Sequence, residues 1–294
     1  MKPRTRRKLI QNLEGYVSIL PALVGVVGLF LGPMVYSLYL SFTRYDVLNP
    51  PVWVGLRNFV SMFTDDPLFL IALKNTVTYA FGSLVPQLTI ALFFALLLNQ
   101  RFVRGLGIYR TLFYLPSVSA GTAIAVMWQY IYDPNNGLMN YMLGLIGMDG
   151  PPWLGSPQWA MPSLIIMSIW QFGTPLIIFL AGLQGIPTHL YESATIDGAN
   201  ALTETIYITI PMLSPSIFFN LVMGLIHSFQ VFANVYILTD GGPINATLVY
   251  VVYLYRRSFQ WLEMGYGSAM AWFFFVVVFA LTLLQFRFSR WVYY

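Results

Sequence analysis

Three carboxylates, Glu192, Asp197 and Glu204, stand between two long apolar runs that contain no acid. The stretch carrying them, Ile186 to Pro211, has no Lys or Arg, so its charge suits a basic partner. A second group of polar side chains lies inside the runs themselves. Trp170 and Gln171 belong to the run before the acidic stretch, and Asn220, Gln230 and Asn234 to the run after it. In an apolar helix an amide is costly unless something pairs with it, either a neighbouring helix or a solute.

No enzymatic constellation accompanies these groups. The chain has no His-Glu-x-x-His pair, no Gly-x-Ser-x-Gly elbow and no paired carboxylates within an apolar run. The two histidines, His189 and His227, fall in different segments. One histidine makes no metal site, and His227 reads as a hydrogen-bonded packing residue. An ion-driven carrier would need buried ionisable residues, which the runs lack. A Gly-x-x-x-x-Gly-Lys-Ser/Thr phosphate loop is also missing. The chain carries no visible energy source, so it is either a passive channel or driven by a partner.

The elements that must position these residues follow from composition. Of 294 residues, 57% are hydrophobic and 9% charged, against about a quarter charged in an ordinary soluble domain. Aromatics make up 17%, which suits interfacial belts of Trp and Tyr. With no cysteine, disulfides and thiolate chemistry are excluded. The net charge of +4 does not signal nucleic acid, because the basic residues cluster beside apolar runs rather than on one face.

Six runs reach the roughly 20 residues needed to cross a bilayer: Gly15–Thr43, bent near Pro33, then Asn75–Gln100, Thr111–Tyr132, Trp159–Gly185, Met212–Leu238 and Tyr266–Phe286. The expected class is therefore an all-α polytopic membrane protein, with a basic head (residues 1–14) and a six-span body (15–294). Ten of the fifteen Lys and Arg fall in the head, in Arg101–Arg110 and in the tail. This bias puts both termini in the cytoplasm. Arg256 and Arg257 run against that count, falling in an outside loop. Prolines and glycines recur inside the runs, and ordinary bundle packing accounts for most of them.

Within the acidic stretch, Pro187 suits a first helical turn. Leu190, Ala194 and Asp197 then share a face, with Glu192 and Ile196 on a neighbouring one. Asp197-Gly198 signals a turn and Asn200 a cap for a second short helix ending at Pro211. The segment 186–211 reads as a bent helix pair at the membrane surface, or as a plain solvated loop.

Glu192, Ala194, Asp197, Gly198, Ala199, Ile208, Pro211 and Pro215 resemble the cytoplasmic "EAA" loop of ATP-binding-cassette import permeases, and the chain is similar to their maltose-type sugar permeases. Val54-Gly-Leu-Arg-Asn-Phe59, Asn75-Thr76, Tyr109 to Pro116, Leu180 to Pro187, Leu238 to Pro243 and Gly265 to Ala269 resemble family motifs in order. Ser193, Leu202, Thr205 and Asp240 depart from the usual pattern. The resemblance implies that Tyr191, Glu192, Ser193, Ala194, Asp197, Gly198, Ala199 and Asn200 form the coupling surface for an ATPase. It further implies a second, unlike permease, two ATPase subunits holding ATP and Mg, an extracytoplasmic solute-binding protein, and a bacterial or archaeal cytoplasmic membrane. No cofactor is expected on this chain. For a sugar path, amides beside aromatic rings are the chemistry required. That makes Trp170, Gln171, Asn220, Gln230 and Asn234 candidates, interhelical packing being the alternative for each. Importers of a glycerol phosphodiester or an amino acid, and a non-transporting scaffold or receptor subunit, are the rival readings.

Overall fold

The computed structural model describes residues 3–100 and 105–292, with side chains from residue 14 onward. The basic side chains of the head, together with Arg101 and Arg104, lie outside the described residues. The chain is helical nearly throughout, and its only described strands are a two-residue hairpin. Among the described residues, five helices are long and apolar enough to cross a membrane: Glu14–Ser41, Pro67–Leu98, Ala160–Gln184, Ser214–Leu238 and Met264–Trp291. The pair Leu106–Val118 and Gly121–Ile131 makes a sixth if taken as one broken crossing. Contacts divide the chain into two units, Met1–Asp65 with Leu254–Phe274 and Asp66–Tyr253 with Phe275–Tyr294.

In the first unit, α1 (Pro3–Gly25) passes through a π-turn at Val26–Leu31 into α2 (Gly32–Ser41). The irregularity precedes Pro33 because a proline ring clashes with the carbonyl four residues back. The wider turn relieves that clash, and Gly32 N–H donates to Val27 O instead. The hairpin of β1 (Thr43–Arg44) and β2 (Val52–Trp53) pairs Thr43 with Trp53. It is followed by α3 (Arg57–Thr64). The Phe42 ring packs 5.6 Å from those of both Trp53 and Phe59. Asn58 Nδ2 donates to Ser41 O (2.9 Å) and Thr43 O (2.8 Å), which explains the Asn of the Val54–Phe59 motif in structural terms. Arg257, anomalous in the charge count, is locally satisfied. It pairs with Glu263 at 2.6 Å and lies over the rings of Trp261 and Tyr266.

In the second unit, α4 (Pro67–Leu98) is the central element. It begins eight residues ahead of the expected Asn75, because Asp66 caps it by accepting from Leu68 N and Phe69 N and Pro67 needs no donor in the first turn. Asn75 and Thr76, the motif expected to open this span, sit inside it and hold a later loop. Asn75 Nδ2 donates to Asn245 O and Leu248 O, and Thr76 Oγ1 accepts from Tyr250 N at 2.7 Å.

The third span breaks instead of running straight. Between α5 (Leu106–Val118) and α6 (Gly121–Ile131) it turns by 94° through extended backbone at Ser119 and Ala120. Pro116 lies inside α5, and the break falls beyond it at Ser119 and Ala120. Beyond it come α7 (Leu138–Leu145) and α8 (Ala160–Ile169). The fourth span is α8 plus α9 (Gly173–Gln184), joined by a turn at Trp170–Phe172.

Ala91 and Ala95 of α4 are fully buried against Phe172, Leu176, Phe179, Leu180 and Leu183. The small alanines let α4 and α9 approach closely. Between helices in lipid, packing of this kind drives association, because the acyl chains are already as apolar as leucine.

Candidate functional site

Two structures emerge from the sequence-nominated residues, an exposed helix pair and a cavity, and both belong to the second unit. The helix pair begins with α10 (Thr188–Ile196). Pro187 stands just outside it at the cap position with extended backbone, one residue earlier than expected. The helix ends in a Schellman turn. Ala199 N–H donates to Ala194 O (2.9 Å) and Gly198 N–H to Thr195 O (3.1 Å), while Gly198 takes φ +79°, a conformation that favours glycine. Asn200 then caps α11 (Ala201–Glu204), its Oδ1 accepting from Thr203 N at 2.9 Å. Instead of stopping at Pro211, the second helix continues through a π-turn at Thr205–Thr209 into α12 (Ile210–Met212). The wider turn serves Pro211 as the earlier one serves Pro33, and Ile210 N–H reaches Thr205 O.

The pair is anchored on one side and open on the other. Leu190 and Tyr191 pack on the core around α9, and Tyr191 Oη lies 3.0 Å from the buried Thr209 Oγ1. Glu192, Ser193, Asp197 and Asn200 are exposed, and Ala194 and Ala199 are half-buried. Glu204 differs from the other two acids. It is half-buried, and its Oε1 accepts from Thr195 Oγ1 at 3.4 Å. Beside the acids, Ile196 (86% exposed), Leu202 (68%) and Tyr207 (75%) face outward. Sequence reading did not nominate these apolar residues as a surface, since their types ordinarily signal burial. What they present is an acidic and apolar end on a rigidly capped turn.

The cavity, about 860 Å³, is bounded by α4, α5, the turn in the fourth span, and the fifth span. That fifth span is α13 (Ser214–Phe229) followed by α14 (Ala233–Leu238), interrupted at Gln230–Phe232. Gln230 and Asn234 are four residues apart, a spacing that in an unbroken helix would put them on one face; the interruption removes that, but both still line the cavity. Irregular backbone at membrane depth is tolerated where it borders such a space.

Gln171 and Asn220 line it as well, whereas Trp170 does not, standing edge-on to Trp128 at 6.0 Å. Hydrogen bonding separates the amides. Asn220 is buried and donates to Pro175 O at 3.4 Å, which is the packing role. Gln171, Gln230 and Asn234 bond to no described residue through their side chains.

Gln87, which sequence reading passed over, donates to Gln171 O (3.0 Å) and Ser168 O (3.3 Å). Pro175 is the reason for the first of these bonds. Lacking an N–H, it cannot serve the carbonyl four residues back, Gln171 O, and Gln87 takes its place. His227, expected as a hydrogen-bonded packing residue, is exposed on the cavity and has no hydrogen bond to a described residue. The signal for Gln87 was available, since it is an amide in an apolar run like Gln171.

This arrangement matches known proteins. The profile of the family described as "Binding-protein-dependent transport system inner membrane component" covers residues 87–293. The probable ABC transporter permease protein YesP of Bacillus subtilis is 45% identical, over 100% of this chain and 95% of that protein. The lactose transport system permease protein LacF of Rhizobium radiobacter is 33% identical, over 98% and 97%. Among solved structures, a chain of a bacterial ABC transporter involved in import of the acidic polysaccharide alginate superposes with TM-score 0.85 at 28% identity, covering 98% of both chains. The family profile covers well over half of the chain and the identity to YesP extends over all of it, and the chain belongs to the family of inner-membrane permease components of binding-protein-dependent transport systems.

Proposed function

We propose that the chain is one permease subunit of an ATP-driven oligosaccharide importer of a bacterial or archaeal cytoplasmic membrane, working beside a second, unlike permease. Two ATPase subunits bind ATP and Mg and dock on the α10–α11 turn, while an extracytoplasmic binding protein delivers solute. The observation that carries this reading is the anchoring of the turn. Glu192, Asp197 and Ile196 are presented on a helix whose Leu190 and Tyr191 pack on the same core as α9, and residues of α9 line the cavity. A push on the exposed end is thereby delivered to the cavity wall without a flexible link. Lactose in the name of one relative and alginate in the description of another structure support a sugar as cargo, as do the unbonded amides of Gln171, Gln230 and Asn234. Native mass spectrometry of the gently purified complex tests the assembly. A second permease and two ATPases are expected, and a chain recovered only with itself would favour the scaffold reading.

Orientation follows from the charge bias and places the turn in the cytoplasm. The chain has no cysteine, so single Lys8→Cys, Asn135→Cys and Asn200→Cys variants can be treated on intact cells with an impermeant thiol reagent. Only Asn135→Cys should label. Labelling of Asn200→Cys without Asn135→Cys would invert the map.

Gln230→Leu and Asn234→Leu should lower transport more than assembly. A neutral hydrogen bond contributes about 0.5–1.5 kcal/mol, so a rise of roughly two- to tenfold in half-saturating sugar is expected at normal yield of complex. Parallel loss of yield and uptake would assign these residues to packing, and unchanged uptake would remove them from the sugar path.

A further inference from the structure

The cavity lining contains one side chain able to carry positive charge, His227, and no carboxylate. The only other titratable group lining it is the phenol of Tyr79. His227 occupies the last turn of α13, where outward-pointing carbonyl dipoles best accommodate a cation. It is exposed to the cavity and bonded to no described residue. Gln230 follows one helical turn later, and its amide is likewise unbonded.

A neutral sugar would need only the amides and hydroxyls of this lining. A carboxylate entering a space walled by apolar helices must find a cation or lose most of its hydration uncompensated. A cationic solute would find no acid to receive it. A protonated imidazole offers two N–H donors, and the neighbouring amides add more.

We propose that His227 fits the cavity to an oligosaccharide bearing carboxylates, of the uronate class, by pairing the imidazolium with a sugar carboxylate. The proposal rests on the carbohydrate reading above and narrows it. Glycerol phosphodiesters share the anionic chemistry without the sugar ring, so they form a separate arm of the test.

The test uses the complete permease and ATPase complex in nanodiscs, measuring equilibrium binding directly so that the binding protein's own selectivity does not enter. The probes are trigalacturonate, its fully methyl-esterified and therefore neutral form, and a glycerophosphodiester. The native complex should bind the acid more tightly than the ester, on the order of tenfold or more for one charge-assisted hydrogen bond. His227→Gln should abolish the preference by weakening binding of the acid much more than that of the ester, and His227→Lys should retain it.

Equal binding of acid and ester by the native complex would overturn the proposal and leave the carbohydrate reading standing. So would a preference that persists in His227→Gln, or an equal loss for both probes. Binding of the phosphodiester alone, or of no probe, would overturn both.

Discussion

Glu192→Arg is expected to cut ATP-driven uptake by at least tenfold while the chain still inserts and folds. Glu192 is exposed and bonded to no described residue through its side chain, so the substitution removes nothing that holds this chain together. In the proposed complex it meets a basic cleft, where a favourable pairing becomes like-charge juxtaposition. Such reversals cost several kcal/mol across an interface, and about 1.4 kcal/mol is already tenfold. The measurement is stimulation of ATP hydrolysis by loaded binding protein, taken with uptake in the same reconstituted complex. Loss of both, or hydrolysis without uptake, fits the proposal. Unchanged values for both would make Glu192 a solvated surface acid. Ile196→Asp is the companion variant, because an apolar side chain 86% exposed at the tip is the natural anchor for the same cleft.

Gly173→Ala should be strongly destabilising for so small a substitution. Gly173 opens α9 where it crosses α5, and a Cβ there would collide with the carbonyl oxygen of Phe113 and the Cα of Tyr114. Backbone atoms cannot rotate away as a side chain can, so the helices must separate. Overpacking of this kind costs about 1–3 kcal/mol and occasionally more, and this site belongs at the upper end. Gly107→Ala, in a helix with nothing within 4 Å, is the control. There the methyl should be neutral or stabilise by up to about 1 kcal/mol. Thermal unfolding of the solubilised complex should show opposite or clearly unequal shifts. Equal shifts would mean that α5 and α9 do not meet closely at Gly173.

The contrast between these sites shows what could be read in the residues alone. Asp197-Gly198 and Asn200 announced the turn and the cap because their backbone and side-chain chemistry is local. What those residues could not announce is the packing of Leu190 and Tyr191 on the core around α9. Long spans were legible from apolar length, and their breaks were not. A helix that turns 94° after Val118 has the same composition as a straight one, and Gln230–Phe232 contains neither Gly nor Pro to mark its interruption. The start of α4 was masked by charge. Charges such as Asp65, Asp66 and Lys74 ordinarily mark a loop, whereas Asp66 is the cap and Lys74 lies exposed on the helix. Among the intramembrane amides, only geometry distinguishes Asn220 and Gln87, bonded to backbone carbonyls, from Gln171, Gln230 and Asn234, which are left open to the cavity.

Reconstitution into proteoliposomes tests the central claim most directly. The chain, the second permease and the ATPases are assembled with internal ATP and Mg, and entry of labelled oligosaccharide is followed in the presence of loaded binding protein. Uptake should require ATP hydrolysis and the binding protein, accumulate sugar above its external concentration, and fail with Glu192→Arg. Equilibration of sugar at the same rate without ATP would contradict the account and identify the chain as part of a passive channel.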